Sequence, residues 1–442
     1  MPGDPLTPQT TWSQYTASIY LTGRRSVIGS YDHRRIEGKA REVMKDNHSA
    51  YMYTFGNAGT GSTYCNNLEA LEQWRIIPRM LRNATHRNLD TTLFGVKLPS
   101  PILVAPLGVQ GILHKDGELA TASAAANVGV PFVMSTASTR SIEAVAKANS
   151  DGHRWYQLYW PQTNEVTLSI LRRAKAAGFT ALVVTLDTFL LGWRPHDLDT
   201  AYLPFIAGVG VQVGTSDPVF MQRVGDGGLA PRPDERTPFP LDLDAFRARL
   251  AAGDEQALAA FTLGTAWLRE GHSGTFRSWK DIAFLRENWD GPIVLKGVQT
   301  IQDAHAAMDA RVDGIIVSNH GGRQVDGAVG SFSALEKITA SPRVRRAQEQ
   351  GMFTVLFDSG IRTGSDVIKA IAMGAQGVLV GRPIMYGLAL GGEEGVEEVL
   401  RALLADTEIT LGLCGYRNID EIWGKRETVL EKADSPHRCA KL

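Results

Sequence analysis

The segment Ser318-Asn319-His320-Gly321-Gly322-Arg323-Gln324 sets an imidazole three residues before a guanidinium, on a backbone loosened by two glycines. Histidine is the side chain best suited to accept a proton near neutral pH. The planar fork of arginine matches a carboxylate. Side by side, the two could hold a small carboxylic acid by its anionic end and take a proton from it. Other chemistry-bearing residues are scattered through the chain: Gln157-Leu158-Tyr159, Thr185-Leu186-Asp187, Gly192-Trp193-Arg194, Lys296-Gly297, Asp358 to Arg362, and Gly381-Arg382-Pro383. Asp187 could orient an imidazole and stabilise its protonated form, and Lys296 could reach an anionic centre. Gly360 with Arg362 and Gly381 with Arg382 have the composition of a phosphate site built on backbone N–H groups and a helix N-terminus.

These residues share one property. Each follows a short apolar run: Ile102–Pro106, Pro131–Ser135, Trp155–Tyr159, Ala181–Asp187, Ile293–Gly297, Gly314–Asn319, Thr354–Gly360 or Gly377–Pro383. Most of the runs are continuous and do not alternate, as parallel strands buried on both faces should be. Helical patterns lie between them at Glu165–Ala177, Thr300–Ala310 and Ser365–Met373. Eight strand–helix units predict an α/β fold, a closed (β/α)8 TIM barrel, whose chemistry collects at the C-terminal ends of its strands. Solvated decoration has no reason to gather there, so convergence favours a site.

The expected organisation is a mainly helical N-terminal segment over 1–90, a barrel over 91–424 and a C-terminal tail over 425–442. About a hundred residues separate Asp187 from Pro292, far more than an ordinary βα loop of roughly 2–6 residues. This long insertion after strand 4, about 198–277, carries helical patterns at Leu241–Ala252 and Glu255–Arg269 and is expected to serve as a lid or a subunit contact.

The formal net charge of −1 offers no global field for nucleic acid or an anionic membrane. An acidic substrate must be held by local cations. Cys65, Cys414 and Cys439 form no zinc-type or CxxC spacing, and the histidines show no metal spacing. No metal is expected. No apolar run reaches the roughly 18 residues of a membrane span. Ala440-Lys441-Leu442 is a close variant of the Ser-Lys-Leu peroxisomal address; it predicts a peroxisomal location and an import receptor as partner, with a cytoplasmic location otherwise.

With these motifs in this order, the chain resembles the FMN-dependent 2-hydroxy-acid oxidising family, from about Tyr53 to about Asn418. Leu186–Asp197 is most similar to the lactate 2-monooxygenase branch of it. The resemblance implies FMN as cofactor, a small L-2-hydroxy acid and molecular oxygen as substrates, and a homo-tetramer or homo-octamer. It implies His320 as base, Asp187 as its partner, and Tyr53, Tyr159, Arg194 and Arg323 around the substrate. Lys296 would face the N1–C2=O edge of the flavin. Ala105, Pro106 and Leu107, with Ser135, Gln157, Thr185 and Ser318, would surround the ring system. Asp358 and Arg362 would hold the ribityl chain, and Gly360, Gly381 and Arg382 the phosphate.

Three departures from relatives matter. Gly108 stands where many oxidases have alanine, which leaves either extra room above the flavin or merely a tight turn. Ala137 replaces a bulkier Trp or Leu, so a side chain longer than that of lactate is expected to fit. Thr60-Gly61 replaces an acidic pair, which questions how that segment packs. The rival readings are an FMN barrel of another activity, an isomerase or a dehydrogenase with a different acceptor, or an inactive barrel kept for binding or assembly. Retention of His320, Lys296 and Arg323 argues against the last.

Overall fold

The computed structural model describes residues 10–224, 228–233 and 235–433. All eight apolar runs are strands: β1 (Ile102–Val104), β2 (Phe132–Ser135), β3 (Arg154–Leu158), β4 (Leu182–Thr185), β5 (Ile293–Val298), β6 (Gly314–Val317), β7 (Thr354–Phe357) and β8 (Gly377–Val380). They pair in parallel in chain order, and β8 closes the barrel on β1 through Val378↔Ile102, Leu379↔Leu103 and Val380↔Val104. Successive side chains point to opposite faces. Leu103, Val133, Trp155, Val183, Val294, Ile316, Leu356 and Leu379 fill the interior. Ile102, Phe132, Tyr156, Leu182, Ile293, Ile315, Val355 and Val378 face the helices. Both sets are buried, and for that reason the runs read as unbroken apolar stretches. A hairpin of Thr91–Leu93 and Val96–Leu98 adds Leu93 and Leu98 to the inner cluster and plugs the N-terminal end.

The outer ring is α1 (Glu118–Val128), α2 (Ile142–Asn149), α3 (Asn164–Ala176), α4 (Ile282–Asn288), α5 (Ile301–Asp309), α6 (Ser331–Thr339), α7 (Gly364–Met373) and α8 (Arg382–Leu413). The three helices expected between strands fall within one residue of their predicted ends. Side-chain caps set the starts of several helices: Thr300 accepts from Asp303 N, and Thr363 forms a reciprocal box with Asp366.

Four helices precede the barrel: Gln14–Thr22, His33–Val43, His48–Phe55 and Ser62–Glu72. Two buried glutamates of α8 tie this segment down. Glu408 accepts from the backbone N–H of Thr11, Trp12 and Ser13. Glu398 accepts from Val27 N, Ile28 N, Ser26 Oγ and the hydroxyls of Tyr15 and Tyr31. The segment continues to the barrel mouth, where Asp326 accepts from Thr60 N and Oγ1 and from Ser62 N and Oγ at 2.7–3.1 Å. Hydroxyls and N–H groups meeting a carboxylate from the β6 loop thus secure the turn around Gly61. At the other end, Trp74–Ile76 pairs antiparallel with Leu430–Lys432. Ala440-Lys441-Leu442 lies outside the described residues.

The long β4–β5 connection folds into short helices and two longer ones, Leu243–Ala251 and Glu255–Gly271, each begun by an aspartate cap. A Cβ on Gly264 would lie 1.9 Å from Phe205 O, so the second helix packs directly on the turn Pro204–Ala207. That contact aims Phe205, and the residue just past the helix, His272, at the barrel mouth. No described helix is long and apolar enough to cross a membrane.

Candidate active site

Because β4 and β6 stop at Thr185 and Val317, the residues just beyond them turn over the mouth. His320 takes a left-handed backbone, φ 59°, uncommon outside glycine. Its Nδ1 lies 2.8 Å from Asp187 Oδ1, and Thr188 Oγ1 donates to the same carboxylate oxygen at 2.7 Å. With Nδ1 engaged, Nε2 is the nitrogen left for a substrate. Burial lowers the imidazole pKa, and Lys296 lowers it further, against the pull of Asp187; the ring is therefore neutral at pH 7. Burial alone would raise the Asp187 carboxyl, but the charge of Lys296 and the pull of His320, with hydrogen bonds from His320 and Thr188, hold it well below the usual carboxylate range.

Lys296 is buried between two carboxylates, 3.8 Å from Asp187 Oδ2 and 3.6 Å from Asp358 Oδ2. Desolvation disfavours its charge, but the two aspartates more than offset that and raise its pKa. Arg323 donates Nη1 to Thr54 O and Gly56 O, and Nη2 to Tyr53 O. These carbonyls cluster at the C-terminal end of a helix, where the backbone dipole favours a cation. Of the five guanidinium hydrogens, Nε–H and one on Nη2 remain, enough for a carboxylate to accept two bonds along one edge. Arg194 is buried too, held by Arg323 O at 3.0 Å and Gln324 Oε1 at 2.9 Å. Burial, then Arg194 and Arg382, push the Arg323 pKa down. The cluster has unspent positive charge and calls for an anion.

Apart from Asp187, which reaches it only through His320, these groups line a single cavity that is open at its mouth. It is lined by Tyr53, Ala105, Pro106, Leu107, Tyr159, Arg194, Lys296, His320, Arg323, Asp358, Gly360, Arg362, Gly381 and Arg382. The remaining predicted residues are absent from its lining. Ser135, Gln157 and Thr185 form a chain beneath it across β2, β3 and β4, with Ser135 Oγ donating to Gln157 Oε1 and Gln157 Nε2 donating to Thr185 Oγ1. Ser318 Oγ accepts from His320 N and helps to set the base. Gly108 lines the cavity beside Ala137. A Cβ there would come 2.8 Å from the Ala137 methyl, so this glycine is where the β1 and β2 loops touch.

The fit of a phosphorylated cofactor can be tested on the far side of the cavity. Arg362 Nη2 and Arg382 Nε are buried donors without a partner among the described residues. They flank Gly360 and Gly381, at the N-terminus of α8, where unpaired N–H groups favour a phosphate. Two orphaned guanidinium donors beside a helix start suit the phosphate of FMN, and the buried Lys296 suits a polar ring edge.

The sequence missed several residues. Thr188, Leu191, Phe205 and His272 line the cavity. Thr188 follows Asp187 directly and could have been read with it. Phe205 and His272 belong to the insertion, where no periodic pattern marks them. Asp197 lies 3.8 Å from Arg194, and burial raises its pKa to about 6 despite Arg194 and Arg323.

Residues 40–430 match the family model described as FMN-dependent dehydrogenase. The chain belongs to this family and is an FMN-dependent oxidoreductase, as the resemblance in its motifs implied. It is 43% identical over 415 residues to the FMN-dependent alpha-hydroxy acid dehydrogenase qulF of Penicillium citrinum, covering 93% of this chain and 94% of that protein. It is 36% identical over 384 residues to the L-lactate oxidase of Lysinibacillus sphaericus (strain C3-41), covering 87% of this chain and 89% of that one. Among solved structures, a mandelate oxidase superposes with a TM-score of 0.71 at 32% identity, over 91% of this chain and 99% of the other.

Proposed function

We propose that the protein oxidises a small L-2-hydroxy acid, lactate-like but with room for a longer side chain, to the 2-keto acid with molecular oxygen as acceptor. The observation that carries this reading is the Asp187–His320 pair, 2.8 Å apart, whose histidine lines one cavity with Arg323, Tyr159 and Lys296. Arg323, with Arg194 and Tyr53, holds the carboxylate and so fixes C2 and its hydroxyl. His320 Nε2 takes a proton from the substrate, and Asp187 stabilises the resulting imidazolium while keeping Nδ1–H in place. Burial raises the Tyr159 pKa, so its hydroxyl stays protonated and donates to the substrate oxygen. Gly360, Arg362, Gly381 and Arg382 would hold FMN at its phosphate, and the bound flavin would supply two-electron acceptance and return of the electrons to oxygen. Lys296 places positive charge beside that ring, where reduction would add negative charge. Ala105 to Leu107 and the Ser135–Gln157–Thr185–Ser318 layer shape its seat.

Peroxide release defines an oxidase; decarboxylation of the retained keto acid defines a lactate 2-monooxygenase-like outcome. The test is aerobic turnover of a panel of L-2-hydroxy acids by FMN-loaded protein, with peroxide, keto acid and carbon dioxide quantified. A His320→Ala variant is expected to lose roughly 10²–10⁴-fold in flavin reduction by substrate while retaining bound flavin. Reduction at the normal rate would remove His320 as base. The same reading includes the division into 1–90, 91–424 and 425–442, assembly as a homo-tetramer or homo-octamer, and a peroxisomal location through the C-terminal tripeptide. Light scattering tests the assembly, and deletion of the tripeptide from a fluorescent fusion tests the location.

A further inference from the structure

The long insertion contributes two rings to the cavity wall. Phe205 is buried at 3% exposure. His272 lies with its ring centroid 5.8 Å from that of Phe205 and 5.1 Å from that of Tyr159. His272 is partly exposed to the cavity. Its electrostatic neighbours are Arg194 and His320, and no hydrogen bond contributes to its titration. Burial, followed by Arg194 and His320, lowers its pKa to about 4, so the ring is neutral at working pH. One nitrogen then donates and the other accepts. Its ring nitrogens make no hydrogen bond among the described residues, so a group bound in the cavity can pair with them.

The surroundings limit what that group can be. The wall beside Phe205 runs into Val109, whose N–H donates to Ala137 O at 2.7 Å, and then into Gly108 and Ala137, which offer nothing larger than a methyl group. The aromatic Phe205 and Tyr159, the small Gly108 and Ala137 and the imidazole of His272 thus line the same cavity.

Resting on the 2-hydroxy-acid reading above, we propose that Phe205 and His272 form a side-chain subsite selecting 2-hydroxy acids with a planar side chain that ends in a hydrogen-bonding group, such as a hydroxyphenyl. Phe205 packs against the ring of the side chain. His272 hydrogen-bonds its polar end and is the specificity-determining contact, separate from His320, which does the proton transfer. The insertion after β4 thereby defines the substrate side chain, while the barrel loops define the reacting end.

The test compares FMN-loaded wild type, His272→Phe and His272→Gln on L-2-hydroxy-3-phenylpropanoate and its 4-hydroxyphenyl analogue, with L-lactate as a third substrate. Phenylalanine keeps the ring contacts and removes both nitrogens. Wild type is expected to favour the hydroxylated acid. In His272→Phe the ratio of the two kcat/KM values is expected to fall about tenfold, the scale of one hydrogen bond, and His272→Gln is expected to restore part of it. Calorimetric titration with the two corresponding keto acids should give the same ordering in Kd. A ratio near one in wild type, or one unchanged in His272→Phe, overturns the subsite while lactate oxidation stands. Failure of every 2-hydroxy acid to reduce the flavin overturns the reading of function itself.

Discussion

His320 and Asp187 show how burial and a paired carboxylate set the charge of an imidazole, which decides whether it can serve as the proposed base. Burial pulls the imidazole pKa below 6.5 and Asp187 pulls it back, and burial wins. The neutral form is favoured in the folded state, so this group contributes stability above its unfolded pKa and loses it as the pH falls through the folded value. Activity follows the same sign, because protonation removes the base. We expect the acid limb of kcat/KM for flavin reduction to fall below pH 6.5, measured by stopped-flow absorbance of the flavin. A limb above 6.5 would mean that the carboxylate dominates. Asp197 runs the other way: burial raises its pKa to about 6, so its ionisation weakens the fold as the pH rises through that value.

Elements position these groups through contacts that polar residues make in unexpected places. Glu398 sits within α8 and is buried, yet its two oxygens accept five hydrogen bonds from the N-terminal segment. Removing it strands two backbone N–H groups. A Glu398→Ala variant should lose about 1–3 kcal/mol, seen as a lower Tm, with proteolytic cleavage appearing before residue 40. Unchanged cleavage would show that the segment is held by other means. The β1 and β2 loops meet with equal economy at Gly108. Gly108→Ala sets two methyl groups 2.8 Å apart, and overpacking of this kind costs about 1–3 kcal/mol. We expect a lower Tm for that variant, and a Gly108→Ala/Ala137→Gly double variant should recover most of the loss. Failure of the second change to rescue would place the strain elsewhere.

Across the whole molecule a nearly neutral chain gathers its cations at one face of the barrel. Net charge is −1, yet Arg194, Lys296, Arg323, Arg362 and Arg382 line one cavity. On the proposed reading two anions complete this arrangement, a phosphate at the α8 end and a carboxylate beside His320. FMN at a hundred times its Kd should stabilise the fold by about 2.7 kcal/mol. Riboflavin at the same concentration lacks the phosphate that Arg362 and Arg382 await and should raise Tm less. In Arg382→Ala the gap between the two flavins should narrow. Equal shifts in wild type would place the phosphate site somewhere other than the start of α8.

The barrel was legible in the chain because strands buried on both faces leave unbroken apolar runs, and such runs need no knowledge of neighbours. The site was largely legible for a related reason. In a closed parallel barrel every strand end reaches the same rim, so His320, Arg323, Lys296, Asp187 and the glycine–arginine pairs could be read together from position alone. Tertiary structure decided the rest. It set Ser135, Gln157 and Thr185 beneath the cavity and not around it, and it brought Gly108 against Ala137. It also buried Glu398 and Glu408 on a helix face that a polar residue would mark as solvated. Phe205 and His272 are the clearest case. They come from a connection without strand or helix period at those positions, and only packing of the helix Glu255–Gly271 on the turn Pro204–Ala207 brings them to Tyr159. Local pattern reports what a residue does for its own element, whereas contacts between distant elements depend on how their surfaces fit.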